Sequence, residues 1–271
     1  MKRKTSDTDA PLPQAESSIV DSAITFTSLD LDARLQQAVA KLGFHHPTLV
    51  QSKAIPLALE GKDILARAKT GSGKTAAYLL PILQTILTAK SAPGAEEKKN
   101  VTRALILVPT KELAEQVTKM TDRLAEFCKK LVKTVNIAQN VGEGVQRSVL
   151  AENPDIVVAT PSRAMMHLGH ASGATLARGI EKLVIDEADL VLSYGYEDDL
   201  QGIAKALPKG LQTFLMSATL TKEVDTLKGL FCRSPAILRL EEDADASEGG
   251  IEQFVVKYVS PPRHAITTTD I

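Results

Sequence analysis

The chain contains no tryptophan, few other aromatics and two cysteines, Cys128 and Cys232. Far apart and without metal-ligand spacing, the cysteines argue against a disulfide scaffold or a zinc module, and unpaired thiols in a reducing compartment are expected. A surplus of charge is missing too: 32 Lys and Arg stand against 33 Asp and Glu, for a net charge of −1. No global basic field announces nucleic acid, so any such contact has to be a local patch. No apolar run approaches the length of a bilayer span, and the N-terminus lacks the apolar core of a secretory signal. A soluble, intracellular protein with no membrane partner is expected. His167 and His170 are spaced to share a helix face, but no carboxylate or thiol joins them, and they read as packing or surface residues.

What is present is an ordinary globular composition, 44% apolar over 271 residues, enough for one large domain or two small ones. Residues 1–22 mix Lys2, Arg3 and Lys4 with acids, prolines and serines and have almost no large apolar groups, so a disordered tail is expected. Its three basic residues are either solvated charge or a nuclear address. Residues 23–260 form the folded part. Asp32 to Leu42 reads as an amphipathic helix closed by Gly43; a second helix starts at Pro47-Thr48, with Gln51 at capping-box spacing. Asp63–Ala66, Arg103–Val108, Asp155–Ala159, Lys182–Asp186 and Gln212–Met216 are apolar runs of strand length, each followed by a helix-compatible segment. That alternation predicts an α/β fold, a parallel sheet with helices on both faces, whose ligands bind beyond the C-terminal strand ends. Glu241–Gly250 reads as a solvated loop, Gln253–Val259 as a last strand, and 261–271 as a loose tail.

The expected strand ends are polar. Ala68-Lys69-Thr70-Gly71-Ser72-Gly73-Lys74-Thr75 follows the first strand and opens a helix, which is the context of a phosphate-binding loop. Its glycines allow positive φ, so that backbone amides turn inward around a polyphosphate while the helix N-terminus adds partial positive charge. Lys74 suits the β- and γ-phosphates, and the Thr75 hydroxyl suits Mg²⁺. Asp186 ends another strand as a Walker B acid does; Glu187 beside it is placed to orient or deprotonate an attacking water. These residues support nucleoside triphosphate hydrolysis on their own. A kinase or GTPase is the weaker reading, because neither a guanine-reading Asn-Lys-x-Asp nor an acceptor site is found.

Alanine at the first loop position is usual in one family whose motifs recur here in order. Phe26 with Pro47, Thr48 and Gln51 resembles the Q motif of DEAD-box ATP-dependent RNA helicases, and Ala68–Thr75 resembles their motif I. Pro109 to Ala114 is similar to motif Ia, Thr160 to Arg163 to motif Ib, Asp186 to Asp189 to the sequence that names the family, and Ser217 to Thr219 to motif III. The resemblance spans residues 26 to 240. It implies a RecA-like P-loop domain that binds ATP and Mg²⁺ and belongs to an enzyme of RNA-stimulated ATP hydrolysis and duplex remodelling. Gln51 would read adenine with Phe26 supporting the pocket; Ala68, Lys69, Thr70, Gly71, Ser72, Gly73, Lys74 and Thr75 would hold phosphates. Thr75 and Asp186 would serve the metal and Glu187 the water, while Asp189, Ser217 and Thr219 would couple nucleotide state to strand separation. Pro109, Thr110, Lys111, Gly142, Thr160 and Arg163 would touch the RNA backbone. Spacing alone leaves plainer roles open: Gln51 can close a capping box, Thr160-Pro161 can start a helix, Ser217 and Thr219 can cap one, and Gly142 and Gly144 can form a turn.

Two departures from the family pattern carry weight. Lys111 stands where arginine is usual, keeping the charge but losing the bidentate fork, and Val141-Gly142-Glu143-Gly144 stands where a double glycine is usual. Both look like the branch of nucleolar helicases that serve large ribosomal subunit assembly, which implies a nuclear, nucleolar protein with pre-ribosomal RNA and assembly proteins as partners. The family also has a second RecA-like domain that supplies arginines to the transferring phosphate, and nothing corresponding to it follows motif III. An arginine finger is worth about 10³ to 10⁵ in rate, so a lone lobe of low activity is expected. The alternative is a non-catalytic, ATP-gated module that binds RNA or protein.

Overall fold

Each strand expected from the apolar runs forms, and each is followed by a helix. The computed structural model describes residues 20–94, 101–169 and 173–240. The strands are β1 (Ile64–Arg67), β2 (Ala104–Leu107), β3 (Thr134–Asn136), β4 (Ile156–Ala159), β5 (Lys182–Ile185), β6 (Gln212–Ser217) and β7 (Ala236–Arg239). Among the described residues they make one seven-stranded sheet in the order β3-β4-β2-β5-β6-β1-β7. Every pairing is parallel, with Ile64 opposite Phe214 and Leu107 opposite both Ala159 and Ile185.

The inner strands β2, β4, β5 and β6 are buried along their whole length, which is why they read as continuous apolar runs. Successive side chains alternate between two cores. Ile64, Ala66, Ile106, Val158, Val184 and Phe214 pack with α1 (Ala33–Lys41), α2 (Leu49–Leu59), α3 (Lys74–Ser91) and α4 (Lys111–Leu124). Leu65, Leu105, Val157, Leu183 and Leu215 pack with the opposite layer. That layer comprises α6 (Pro161–Leu168), α7 (Gly173–Gly179), α8 (Ala188–Ser193), α9 (Glu197–Ala206) and α10 (Lys222–Phe231). A short α5 (Glu143–Ala151) joins β3 to β4. The first helix ends as the sequence indicates, with Asp32 accepting from Arg34 N at its start and Gly43 at φ 77° beyond its end.

Two strands escape the sequence reading, both at sheet edges. β3 is three half-buried residues, and β7 alternates half-buried with exposed positions, so neither shows the continuous apolar signature. Within the span expected to be a disordered tail, residues 1–22, Val20 pairs antiparallel with Thr48 and Asp21 N donates to Pro47 O at 2.8 Å. The last strand expected at Gln253–Val259, the loop before it and the tail after it lie outside the described residues, as do residues 1–19. The chain divides by contacts after Glu241, and all elements named above belong to the first unit. Among the described residues no helix is long and apolar enough to cross a membrane, and Cys128 and Cys232 are free thiols.

Candidate functional site

β1 delivers its last side chains into the phosphate-type loop. Ala68 N donates to Ser217 O at 3.1 Å, which ties the loop to the end of the neighbouring β6. Gly71 and Gly73 have φ of 81° and 90°, the left-handed conformation the sequence required of them. Gly73 is needed for room as well: a Cβ there would lie 2.4 Å from Gln51 Nε2 and 2.9 Å from Thr48 Oγ1. Lys69, Thr70 and Gly71 face solvent, whereas Ser72 and Lys74 are buried. Lys74 opens α3; its Nζ donates to Ala68 O at 2.9 Å and pairs with Glu187 at 3.1 Å. The Ser72 hydroxyl is buried and has no partner among the described residues. A buried polar group of that kind is unfavourable unless something else satisfies it.

The acids come from the end of β5, and only β6 separates β5 from β1. Asp186 is buried, with Oδ1 accepting from Glu187 N and Oδ2 from the Tyr78 hydroxyl, both at 2.9 Å. Loss of water around this carboxylate, and the neighbouring Glu187 charge, raise its pKa from 3.8 to about 6; the Tyr78 hydrogen bond and the Lys74 charge oppose the rise. Burial also lifts the Tyr78 phenol well above its ordinary value, and the neighbouring Asp186 charge adds to the rise. Glu187 takes φ 48° and ψ 54° at the head of α8, a left-handed backbone that costs a non-glycine residue about 1–3 kcal/mol. Its side chain meets Lys74. The loop and the acids therefore lie in direct contact at the C-terminal edge of the sheet.

The residues to which the resemblance gives a coupling role are bonded to one another beside this centre. Asp189 Oδ2 accepts from Thr219 Oγ1 at 2.8 Å and Thr219 N at 3.1 Å, and Thr219 N also lies 3.3 Å from Ser217 Oγ. The segment after β6 is thus fastened to α8. Gln51 takes the plainer of the two roles the sequence left open and also grips the loop: Oε1 accepts from Thr48 N at 3.0 Å, half of a capping box, while Nε2 donates to Gly73 O at 3.1 Å. One N–H and one oxygen lone pair of that amide are left over, the complement of an adenine edge. Phe26 is buried in the core at the start of the described chain and presents little ring to solvent.

A second feature occupies the ends of β2 and β4. A hollow of about 290 Å³ is lined by Pro109, Thr110, Lys111, Glu112, Ala138, Thr160, Ser162, Arg163 and Tyr196. Two helix N-termini open on it, α4 capped by Thr110, whose hydroxyl accepts from Leu113 N, and α6 with Thr160 at its N-cap and Pro161 in its first turn. N-termini with adjacent Lys and Arg favour anions such as backbone phosphates. Of the six residues assigned to RNA by resemblance, five line this hollow and Gly142 does not. Gly142 heads α5 with nothing within 4 Å of the place a Cβ would take.

Tyr78, Tyr196 and Gln146 were not singled out from the sequence. Gln146 Nε2 donates to Ile137 O and Gln139 O, and its Oε1 meets His167 Nε2 at 2.8 Å, a buried brace between α5, α6 and the chain after β3. Because both amide hydrogens are spent on carbonyls, His167 Nε2 carries the proton of that bond. Among the described residues no group of three metal-ligating His, Cys, Asp or Glu side chains gathers.

Comparison with known proteins bears on this geometry. A family model described as DEAD/DEAH box helicase matches residues 48–227. Curated relatives include an ATP-dependent RNA helicase dbp9 of Botryotinia fuckeliana, 57% identical over 267 residues, 98% of this chain and 43% of that protein. Another dbp9, from Aspergillus terreus, is 57% identical over 270 residues, again 98% of this chain and 43% of the relative. The chain thus spans less than half the length of these relatives. Among solved structures, a DEAD box protein from the hyperthermophile Methanococcus jannaschii superposes with a TM-score of 0.71 at 31% identity, covering 80% of this chain and 56% of that one.

Proposed function

The chain belongs to the DEAD/DEAH box helicase family, and from that premise we propose that it is the ATP-binding lobe of an ATP-dependent RNA helicase acting on pre-ribosomal RNA in the nucleolus. The observation that carries the ATP-site reading is the 3.1 Å contact between Lys74 Nζ and Glu187, with Asp186 adjacent. It brings the Lys74 ammonium of the loop into contact with the acids that follow β5. Relatives that are named ATP-dependent RNA helicases support the activity. Lys111 and the Val141 to Gly144 segment support the ribosomal branch.

The residues present fit magnesium. A buried carboxylate ends β5, the Thr75 hydroxyl sits one helical turn from the tyrosine that holds that carboxylate, and a loop hydroxyl is buried without a partner. Thr75 and Asp186 would hold the ion, whose chemistry is to neutralise charge developing on the phosphates. Glycine amides and Lys74 bind the polyphosphate. Lys74 then exchanges its partner Glu187 for phosphate oxygens, and the released carboxylate is available to orient or deprotonate the attacking water. Gln51 selects adenine. Asp189, Ser217 and Thr219 carry nucleotide state from α8 to the end of β6, and Pro109, Thr110, Lys111, Thr160 and Arg163 hold the RNA backbone.

The test compares ATP with GTP in an equilibrium titration, then RNA-stimulated phosphate release by the full-length protein. ATP preferred over GTP, binding lost in Lys74→Ala and release raised by RNA are expected. Equal affinity for GTP, or ATP binding intact in Lys74→Ala, would overturn the assignment.

A further inference from the structure

The helix after the phosphate loop is aliphatic on its buried faces, with Ala77, Leu79, Leu80, Ile82 and Leu83 all fully inside. Beyond the buried Lys74 of its first turn, Tyr78 is the exception. It is 0% exposed, and its hydroxyl reaches across 108 residues of sequence to Asp186 Oδ2 at 2.9 Å. Lys74 and Tyr78 stand four apart on α3 and so share one face. One helix thereby contacts two consecutive acids, Glu187 through Lys74 and Asp186 through Tyr78. With Glu187 N on Oδ1 and Tyr78 on Oδ2, each oxygen of Asp186 has a fixed donor and one remaining lone pair.

Resting on the ATP-site reading above, we propose that Tyr78 is a positioning residue for Asp186, its phenol fixing the direction in which the carboxylate presents its free lone pairs to the magnesium of bound nucleotide. A phenylalanine would fill the same space without a donor. The carboxylate would then keep a single fixed contact and turn toward Lys74, whose charge lies beside the pair. Groups that orient a metal ligand from behind are typically worth 10–100-fold in metal affinity.

The test uses the whole chain and a non-hydrolysable ATP analogue, adenylyl imidodiphosphate, titrated in EDTA and over a range of Mg²⁺. Tyr78→Phe is expected to bind the analogue in EDTA within about twofold of the wild type, while the Mg²⁺ concentration needed for half-maximal enhancement rises about tenfold or more. Thr121→Val removes another fully buried hydroxyl, one bonded only within α4, and should leave the Mg²⁺ dependence unchanged. An unchanged Mg²⁺ dependence in Tyr78→Phe, or equal losses with and without Mg²⁺, overturns the proposal and leaves the ATP site standing. No binding, or no Mg²⁺ enhancement, in the wild type sinks the ATP-site reading itself. If Tyr78→Phe does not fold by circular dichroism, Tyr78→Met is judged by the same criterion; failure of both to fold makes the phenol structural and overturns the proposal.

Discussion

Lys74 and Glu187 hold one another at 3.1 Å with little solvent access, so removing either partner strands a buried charge. Breaking such a pair costs about 3–5 kcal/mol when fully buried, and somewhat less for the partly exposed Glu187. Lys74→Ala should therefore lower the urea midpoint as well as abolish ATP binding, whereas a double Lys74→Met, Glu187→Leu variant should recover the midpoint without recovering the binding. Asp186 gives a pH signature. Its folded-state pKa of about 6 lies above the 3.8 of the free side chain, so the folded chain holds the proton more tightly. Its contribution to stability is full below about pH 3.8 and is lost as pH rises through about 6. Unfolding between pH 4.5 and 7.5 should show the wild type losing stability relative to Asp186→Asn as pH climbs, while Mg²⁺-dependent ATP binding strengthens over the same interval. Gly73→Ala combines a φ of 90° with a 2.4 Å approach to Gln51, so it should destabilise the fold by more than about 1 kcal/mol and displace the Gln51 amide, read as a loss of preference for ATP over GTP.

The brace formed by Gln146 and His167 joins α5 and α6 to the chain after β3, on the side of the sheet that carries the phosphate-friendly hollow. Gln146→Leu leaves the carbonyls of Ile137 and Gln139 without that donor, at a cost of about 1–3 kcal/mol. RNA affinity should fall in a fluorescence anisotropy titration while ATP affinity holds. Much of the element plan was legible. β2, β4, β5 and β6 announced themselves as continuous apolar runs, and the loop between β1 and α3 by its glycines, because those signals are local. β3 and β7 were not legible, since an edge strand needs only one covered face. Tyr78 was hidden for a different reason: within α3 it looks like any core aromatic, and its partner lies 108 residues away. Gln51 was half visible, for spacing gave the cap but not the bond to Gly73 O.

Sheet order explains how a chain of nearly balanced charge would serve the two anionic ligands proposed above. β1, β6 and β5 present the phosphate loop, Ser217 and the acids, while β2 and β4 present the hollow, and β2 lies directly beside β5, with Asp186 N bonded to Leu107 O at 2.9 Å. The proposed nucleotide and RNA regions are thus adjacent along one edge. The basic character is local, so RNA affinity should depend on few contacts: Lys111→Ala and Arg163→Ala should each reduce the slope of log affinity against log salt by about 0.7. The account as a whole requires that one magnesium nucleotide touch both the phosphate loop and the acids after β5. Anomalous diffraction from crystals grown with adenylyl imidodiphosphate and Mn²⁺ tests this most directly. The account predicts a single strong manganese peak beside the Thr75 hydroxyl and Asp186, directly or through one water, with the triphosphate enclosed by Gly71 to Lys74. A nucleotide bound elsewhere, or a manganese peak away from Asp186, would contradict it.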